Sequence, residues 1–204
     1  MPNIRRHART LVAAAGLLTA TFATAPPANS KSKAKAACDG KERWMVKTLQ
    51  DEDADQVAID DPKTITIKEL ILKKRGDAWA KANDNPRLPD EFEVYKIRGK
   101  LTFVKPQSDG DIHIVISDGE QPKHDVIVEI ANPKCANVKN SEFIGDFRKV
   151  MNDWLNKFQH KEAHLNKTFE VTGVLFHDKK NHGHGGGPEG VELHPVLKIR
   201  RIGS

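Results

Sequence analysis

The sequence predicts a mainly β domain with a single helix, and three observations carry that prediction. Apolar and polar side chains alternate in three separate runs between residues 96 and 130. Between residues 141 and 158 the apolar positions recur instead at three and four, and between 169 and 199 alternation returns in two further runs. A period of two belongs to a half-buried strand and a period of 3.6 to an amphipathic helix. Strand, strand, strand, helix, strand, strand is the order of the OB-fold, a five-stranded Greek-key barrel with its helix between strands three and four. A split β-sandwich is the alternative for the same runs, and the one well-patterned helix at this position favours the barrel.

In the first run Ile97, Gly99, Leu101 and Phe103 alternate with Lys96, Arg98, Lys100 and Thr102. The second sets Ile112, Ile114 and Ile116 against His113, Val115 and Ser117, and the third sets Val126, Val128 and Ile130 against Ile127 and Glu129. Phe143, Phe147, Val150, Met151, Trp154, Leu155 and Phe158 then form one helical stripe behind Ser141, a suitable N-cap. Phe169, Val171, Gly173 and Leu175 mark the fourth strand; Val191, Leu193, Pro195, Leu197 and Ile199 mark the fifth. Upstream, Ile65 to Leu72 is ambiguous. Thr66 and Glu69 have capping-box spacing, whereas Ile65, Ile67 and Ile71 are β-branched, so helix and strand both stay open.

The chain divides into a leader (1–25), a linker and N-terminal extension (26–90) and the barrel domain (91–204). Arg5, Arg6 and Arg9 precede an uncharged apolar run from Leu11 that ends in Ala23-Thr24-Ala25. That order is the one a secretory signal peptide requires. A mitochondrial transit peptide shares the arginine-rich, acid-poor start, and Pro26 leaves the cleavage point open. The expectation is an exported protein, periplasmic or secreted, with no integral membrane segment in the mature chain. The full chain has 33 basic and 28 acidic residues, and losing the three leader arginines leaves 30 against 28. The mature protein therefore has no general pull toward polyanions. Export also places Cys38 and Cys135 where disulfides persist. Their pairing would close a loop of about 100 residues, worth up to about 4.7 kcal/mol by the chain-entropy argument. Two free thiols are the alternative.

Three residue sets carry candidate chemistry. OB barrels usually bind ligands on the face of strands two and three, between the first–second and fourth–fifth loops. Here those loops are Lys105 to Asp111 and Asp178 to Gly190, the second holding His182, His184 and three successive glycines. That loop suits either a mobile connection or closure over a ligand or metal. Strand parity places His113, Glu129, Glu192 and His194 on the outward face, as one surface patch with Asp111 and Asp178 at its ends. Two imidazoles with carboxylates suit a divalent metal such as zinc, bound by His113, Glu129 and His194 with His182 and His184, or a general acid/base pair; solvent-facing polar residues are the plainer reading. The third set is the basic stripe Lys96, Arg98 and Lys100 on strand one with Lys198 and Arg200 on strand five, read as paired strands. Such a row contacts a polyanion, nucleic acid or glycan, through phosphate or other anionic groups, or is a solvated charged face. No Gly-x-Ser-x-Gly elbow, phosphate loop or dinucleotide fingerprint is present.

Two resemblances follow from particular residues. Asp109-Gly110-Asp111 before strand two, with Ala131-Asn132-Pro133 after strand three, resembles the staphylococcal-nuclease type of OB barrel. That family uses carboxylates for calcium and arginines for phosphate, and strand three here lacks the arginine, so the likeness implies topology alone. The motifs Glu42-Arg43-Trp44, Asp111-Ile112-His113, Glu129 to Cys135, Val171-Thr172-Gly173-Val174 and Gly190 to Val196 resemble a set of exported bacterial proteins with a Glu-Leu-His-Pro-Val signature in the last strand. This likeness implies export and the fold, and it implies no mechanism. The expected function is an exported OB-fold binding module, non-catalytic, with a protein or polyanion ligand on the face of strands two and three. The alternatives are a divalent-metal-dependent, nuclease-like hydrolase and a structural or stress-related envelope protein.

Overall fold

The computed structural model describes residues 43–74, 86–135, 138–158, 167–179 and 185–203. The leader, Cys38, His182 and His184 lie outside them. In order the elements are helix α1 (Trp44–Lys47), a 3-10 turn (Ala54–Gln56), strand β1 (Lys63–Thr64), helix α2 (Ile67–Ile71), strands β2 (Val94–Pro106), β3 (Ile112–Ser117) and β4 (Asp125–Ile130), helix α3 (Ile144–Phe158), and strands β5 (Thr168–His177) and β6 (Val191–Arg201). The sheet runs β1-β2-β3-β4-β6-β5, and an additional β2–β5 pairing closes the last five strands into a barrel. Every pair in the barrel is antiparallel except β4 with β6. Topology and helix position are those of the OB-fold.

The barrel interior holds Ile97, Leu101, Ile114, Ile116, Val126, Val128, Ile130, Phe169, Val171, Leu175, Val191, Leu193 and Val196, with Val150, Met151 and Trp154 from α3. Ser141 opens the turn before α3, its hydroxyl accepting from the Phe143 N–H and its carbonyl from the Ile144 N–H. Within residues 65–72 the chain forms a helix over Ile67–Ile71. The Thr66 hydroxyl accepts from the Glu69 N–H at 3.1 Å and the Glu69 carboxylate accepts from the Thr66 N–H at 2.8 Å. That capping box sets the first turn, and Ile67, Leu70 and Ile71 then bury one face in the barrel core. Tertiary burial outweighs the small helix penalty of β-branching.

Two departures from simple alternation change which side chains face outward. A register shift between Leu101 and Phe103 aligns Phe103 with Val115 and turns its ring toward His113 on the outer side, where alternation had placed it inside. A second shift at Gly173 pairs it with Val196. Val196 therefore enters the core and Leu197, expected inside, packs on the outer cluster, while Ile199 lies inside as alternation expects. Gly173 permits the crossing: a Cβ there would lie 2.9 Å from the Leu193 Cβ and 3.0 Å from the Pro195 carbonyl oxygen.

That outer cluster is a second core. Trp44, Leu49 and Val57 of the N-terminal extension pack with Val94, Ala131, Cys135, Val138, Phe147 and Val174. Cys135 is fully buried there. No helix among the described residues is long and apolar enough to cross a membrane.

Candidate functional site

The polar positions that alternation assigned to the outer face of β3, β4 and β6 do converge, but they are not a surface patch. Asp111, His113, Glu129, Glu192 and His194 are all buried, none more than 6% exposed. The reason is the cover. Helix α1 carries Lys47 and Arg43 onto the outer face of β5, where the Lys47 ammonium and the Arg43 guanidinium each lie 5.0 Å from the Phe176 ring centroid. Gly185 of the β5–β6 loop, with φ at +91°, lies against Val115, so close that a Cβ would meet that side chain at 2.4 Å. A left-handed backbone pressed on a valine admits only glycine.

The extension is fixed in place by buried ion pairs. Arg43 donates to both carboxylate oxygens of fully buried Glu91, and Glu91 also accepts from the His177 and Leu88 N–H groups at 2.8 Å. Arg87 forks onto Asp51, donating from Nε at 3.0 Å and Nη2 at 2.5 Å. Lys47 reaches Asp178 at 3.3 Å. Burial pushes the Lys47 ammonium down, and the charges of Asp178, Glu192 and Glu129 overcome it and raise it. Nothing in the barrel's alternation signals these partners; the one trace of Lys47 is a single cation within the apolar stretch Trp44 to Leu49.

At the centre stands a chain of alternating carboxylates and imidazoles. The His113 Nδ1 lies 2.8 Å from one Glu129 oxygen, across a directly paired position of β3 and β4. The other Glu129 oxygen lies 3.1 Å from His194 Nδ1, and His194 Nε2 lies 3.4 Å from Asp111 Oδ2. Asp111 Oδ1 accepts from the Asn132 N–H at 2.8 Å, which fixes the carboxylate at the mouth of β3. Asp111 Oδ2 and both His194 nitrogens have no contact with the geometry of a hydrogen bond. Burial pushes His194 down, but the Asp111 and Glu129 carboxylates outweigh it and raise the group to about 9. Burial raises Asp111 despite His194. In Glu129, burial is overcome by His113 and His194, and the carboxyl is held well below its ordinary value.

One ligand atom each from Asp111, Glu129 and His194 lies within 4.8 Å of the others. A point equidistant from three atoms at that spacing is about 2.8 Å from each, and zinc bonds to nitrogen and oxygen are about 2.1 Å. Inward shifts of under ~1 Å would complete three metal bonds. His113, on the far side of Glu129, is placed to orient that carboxylate, as outer partners of metal ligands do. Glu192 belongs to the same face, paired with Phe176 across β5–β6 and acting on Lys47, and Asp178 meets Lys47 directly. A second carboxylate–imidazole group, Asp118, Glu120 and His124, sits on the β3–β4 turn. There the Asp118 carboxylate is already occupied by the Glu120 and His124 N–H groups and the His124 ring.

The basic stripe is arranged differently from its expectation. β2 and β6 do not pair; β5 lies between them. Lys96 and Lys198 flank Thr172, and Arg98 and Arg200 flank Glu170. Lys100 leans aside, along Gly119 of the β3–β4 turn.

No protein-family model and no curated protein matches the chain. Among solved structures it is similar to Entamoeba histolytica asparaginyl-tRNA synthetase, at 12% identity with a TM-score of 0.37, over 71% of this chain and 24% of that one. A likeness at that level carries no argument about ligand or activity. The architecture rests on the strand order: this is an OB-like barrel.

Proposed function

We propose that this protein is an exported, non-catalytic OB-fold binding module whose ligand is a divalent metal ion held by Asp111, Glu129 and His194. One observation carries the reading. Three side chains from the mouth of β3, from β4 and from β6, each nearly inaccessible, bring ligand atoms within 4.8 Å of one another, and the His194 nitrogens meet Glu129 and Asp111 Oδ2 there only as ion pairs at 3.1 and 3.4 Å, without hydrogen-bond geometry. Buried polar atoms are nearly always satisfied, and a cation is the group that satisfies two carboxylates and an imidazole together. The face is acidic and closed over, which disfavours a polyanion in the position where OB barrels commonly take one. Export rests on the basic leader, apolar run and small residues of 1–25, and on the Glu-Leu-His-Pro-Val strand of the exported proteins this chain resembles. The Cys38–Cys135 disulfide belongs to the same reading, tying the first mature residues to the second core.

Metal analysis of the purified mature protein, followed by calorimetric titration of the EDTA-stripped form with zinc and manganese, tests the proposal. The expected result is one ion per chain, with affinity reduced at least tenfold in both Asp111→Asn and His194→Ala. Absence of binding below millimolar metal, or affinity unchanged in both variants, ends it.

A further inference from the structure

On the outer surface of β2, β5 and β6 the chain builds a second and oppositely charged face. Glu170 sits in its middle with a side chain 8% exposed, while the Arg98 and Arg200 side chains beside it are 63% and 52% exposed. Each arginine spends Nε and Nη2 on Glu170: Arg98 at 2.9 and 2.8 Å on one oxygen, Arg200 at 2.8 and 2.7 Å on the other. One carboxylate thus holds two guanidiniums side by side, each keeping its Nη1 edge for a ligand. One pleat further along, Thr172 separates Lys96 from Lys198 in the same way. Alternate residues on a strand are about 6.8 Å apart and second-neighbour strands about 9.6 Å. The four cations therefore occupy the corners of a rectangle of about those dimensions, with one anion at an edge.

We infer that this face binds the phosphodiester backbone of single-stranded nucleic acid without regard to base sequence, through Lys96, Arg98, Lys198 and Arg200. The guanidinium fork matches the two unesterified oxygens of a phosphate, and a nucleic-acid strand carries such a group at every repeat. Glu170 prepays the ordering of two long side chains, a cost that otherwise subtracts from affinity. Its carboxyl is driven up by burial and brought back below its ordinary value by the hydrogen bonds from Arg200 and Arg98, so the clamp stays ionised at neutral pH. The site lies on strands one, four and five of the barrel, away from the metal cluster and from the face OB domains usually employ.

Fluorescence-anisotropy titration of the mature protein, in EDTA, with labelled oligo(dT) across a salt series is the test. Four phosphate contacts predict that log K falls with log salt at a slope of roughly −3. The Lys96→Ala/Lys198→Ala double variant, on exposed and half-buried positions that leave the fold intact, should bring the slope to roughly −1.5. Arg98→Ala/Arg200→Ala should weaken binding at least as much. No binding at low salt, a slope unchanged in the double variants, or binding to heparin while the oligonucleotide stays unbound would each overturn the inference, the last in favour of an anionic glycan.

Discussion

Taking metal-free protein from about pH 6 to about pH 10 should remove about 3 kcal/mol of stability through His194 alone. The imidazole is completely buried between Glu129 and Asp111, and its pKa moves from 6.5 to about 9 on folding. Each unit is worth about 1.4 kcal/mol of difference between protonation states. The folded value is the higher one, so the contribution is fully present below about 6.5 and is lost as the pH rises through about 9. Urea denaturation at several pH values, in EDTA and at constant ionic strength, measures it when proteins with and without His194→Gln are compared in a His113→Gln background. The subtraction cancels histidines remote from the cluster, His113, which shares Glu129, is replaced by Gln in both proteins, and Lys47 is raised above the window. The advantage of the protein that keeps His194 should shrink by about 3 kcal/mol across the range. A difference that stays constant within about 0.5 kcal/mol would mean that His194 carries no proton in the folded metal-free state, and the electrostatics argued for the cluster would fail with it.

Other perturbations address the elements that close the site. Lys47→Ala withdraws a buried ammonium from Asp178, Glu192 and Glu129; breaking a buried pair of this kind costs about 3–5 kcal/mol, and a loss below about 1 kcal/mol in urea would show that α1 does not depend on it. If Cys38 and Cys135 are paired, intact mass after alkylation should show adducts on both only when reductant is added first, and reduction should lower stability by roughly 2–5 kcal/mol; alkylation of both thiols without reductant would exclude the bond. Gly173→Val drives a side chain into the Leu193 Cβ and the Pro195 carbonyl, already 2.9 and 3.0 Å from a Cβ at that point. It should cost about 1–3 kcal/mol or more, and a neutral result would mean the β5–β6 register shift adjusts freely.

The barrel was legible because its interior obeys alternation: Ile112, Ile114 and Ile116 face inward as their spacing requires, and α3 presents Val150, Met151 and Trp154 to them. What alternation cannot see is an extra residue in a strand. The shifts after Leu101 and at Gly173 turned Phe103 and Leu197 outward and Val196 inward, and neither leaves a mark in a pattern of apolar letters. Nor does parity say what lies above an outward side chain. His113, Glu129, Glu192 and His194 alternate onto one face, yet whether that face met water depended on helix α1, more than sixty positions before the first of them, and on the β5–β6 loop. The cover came from Arg43 and Lys47 of the N-terminal extension and from Gly185 of the β5–β6 loop, on which strand parity is silent.

The burial changes the chemistry rather than just the exposure of the site. On an open surface, screening would leave His194 near its ordinary value and its carboxylates as indifferent neighbours. Under α1 and the β5–β6 loop the same groups raise it to about 9, so a cation entering the cluster must displace a proton as well as separate Asp111 and Glu129 from His194. Metal ligands must be deprotonated; affinity should therefore climb with pH toward 9 while the metal-free fold is losing stability over the same interval. The two trends come from one group and have opposite signs, which makes them separable. A metal affinity independent of pH between about 7 and 9 would place the ion elsewhere, whereas a climb that disappears with His194 would place it between these three side chains.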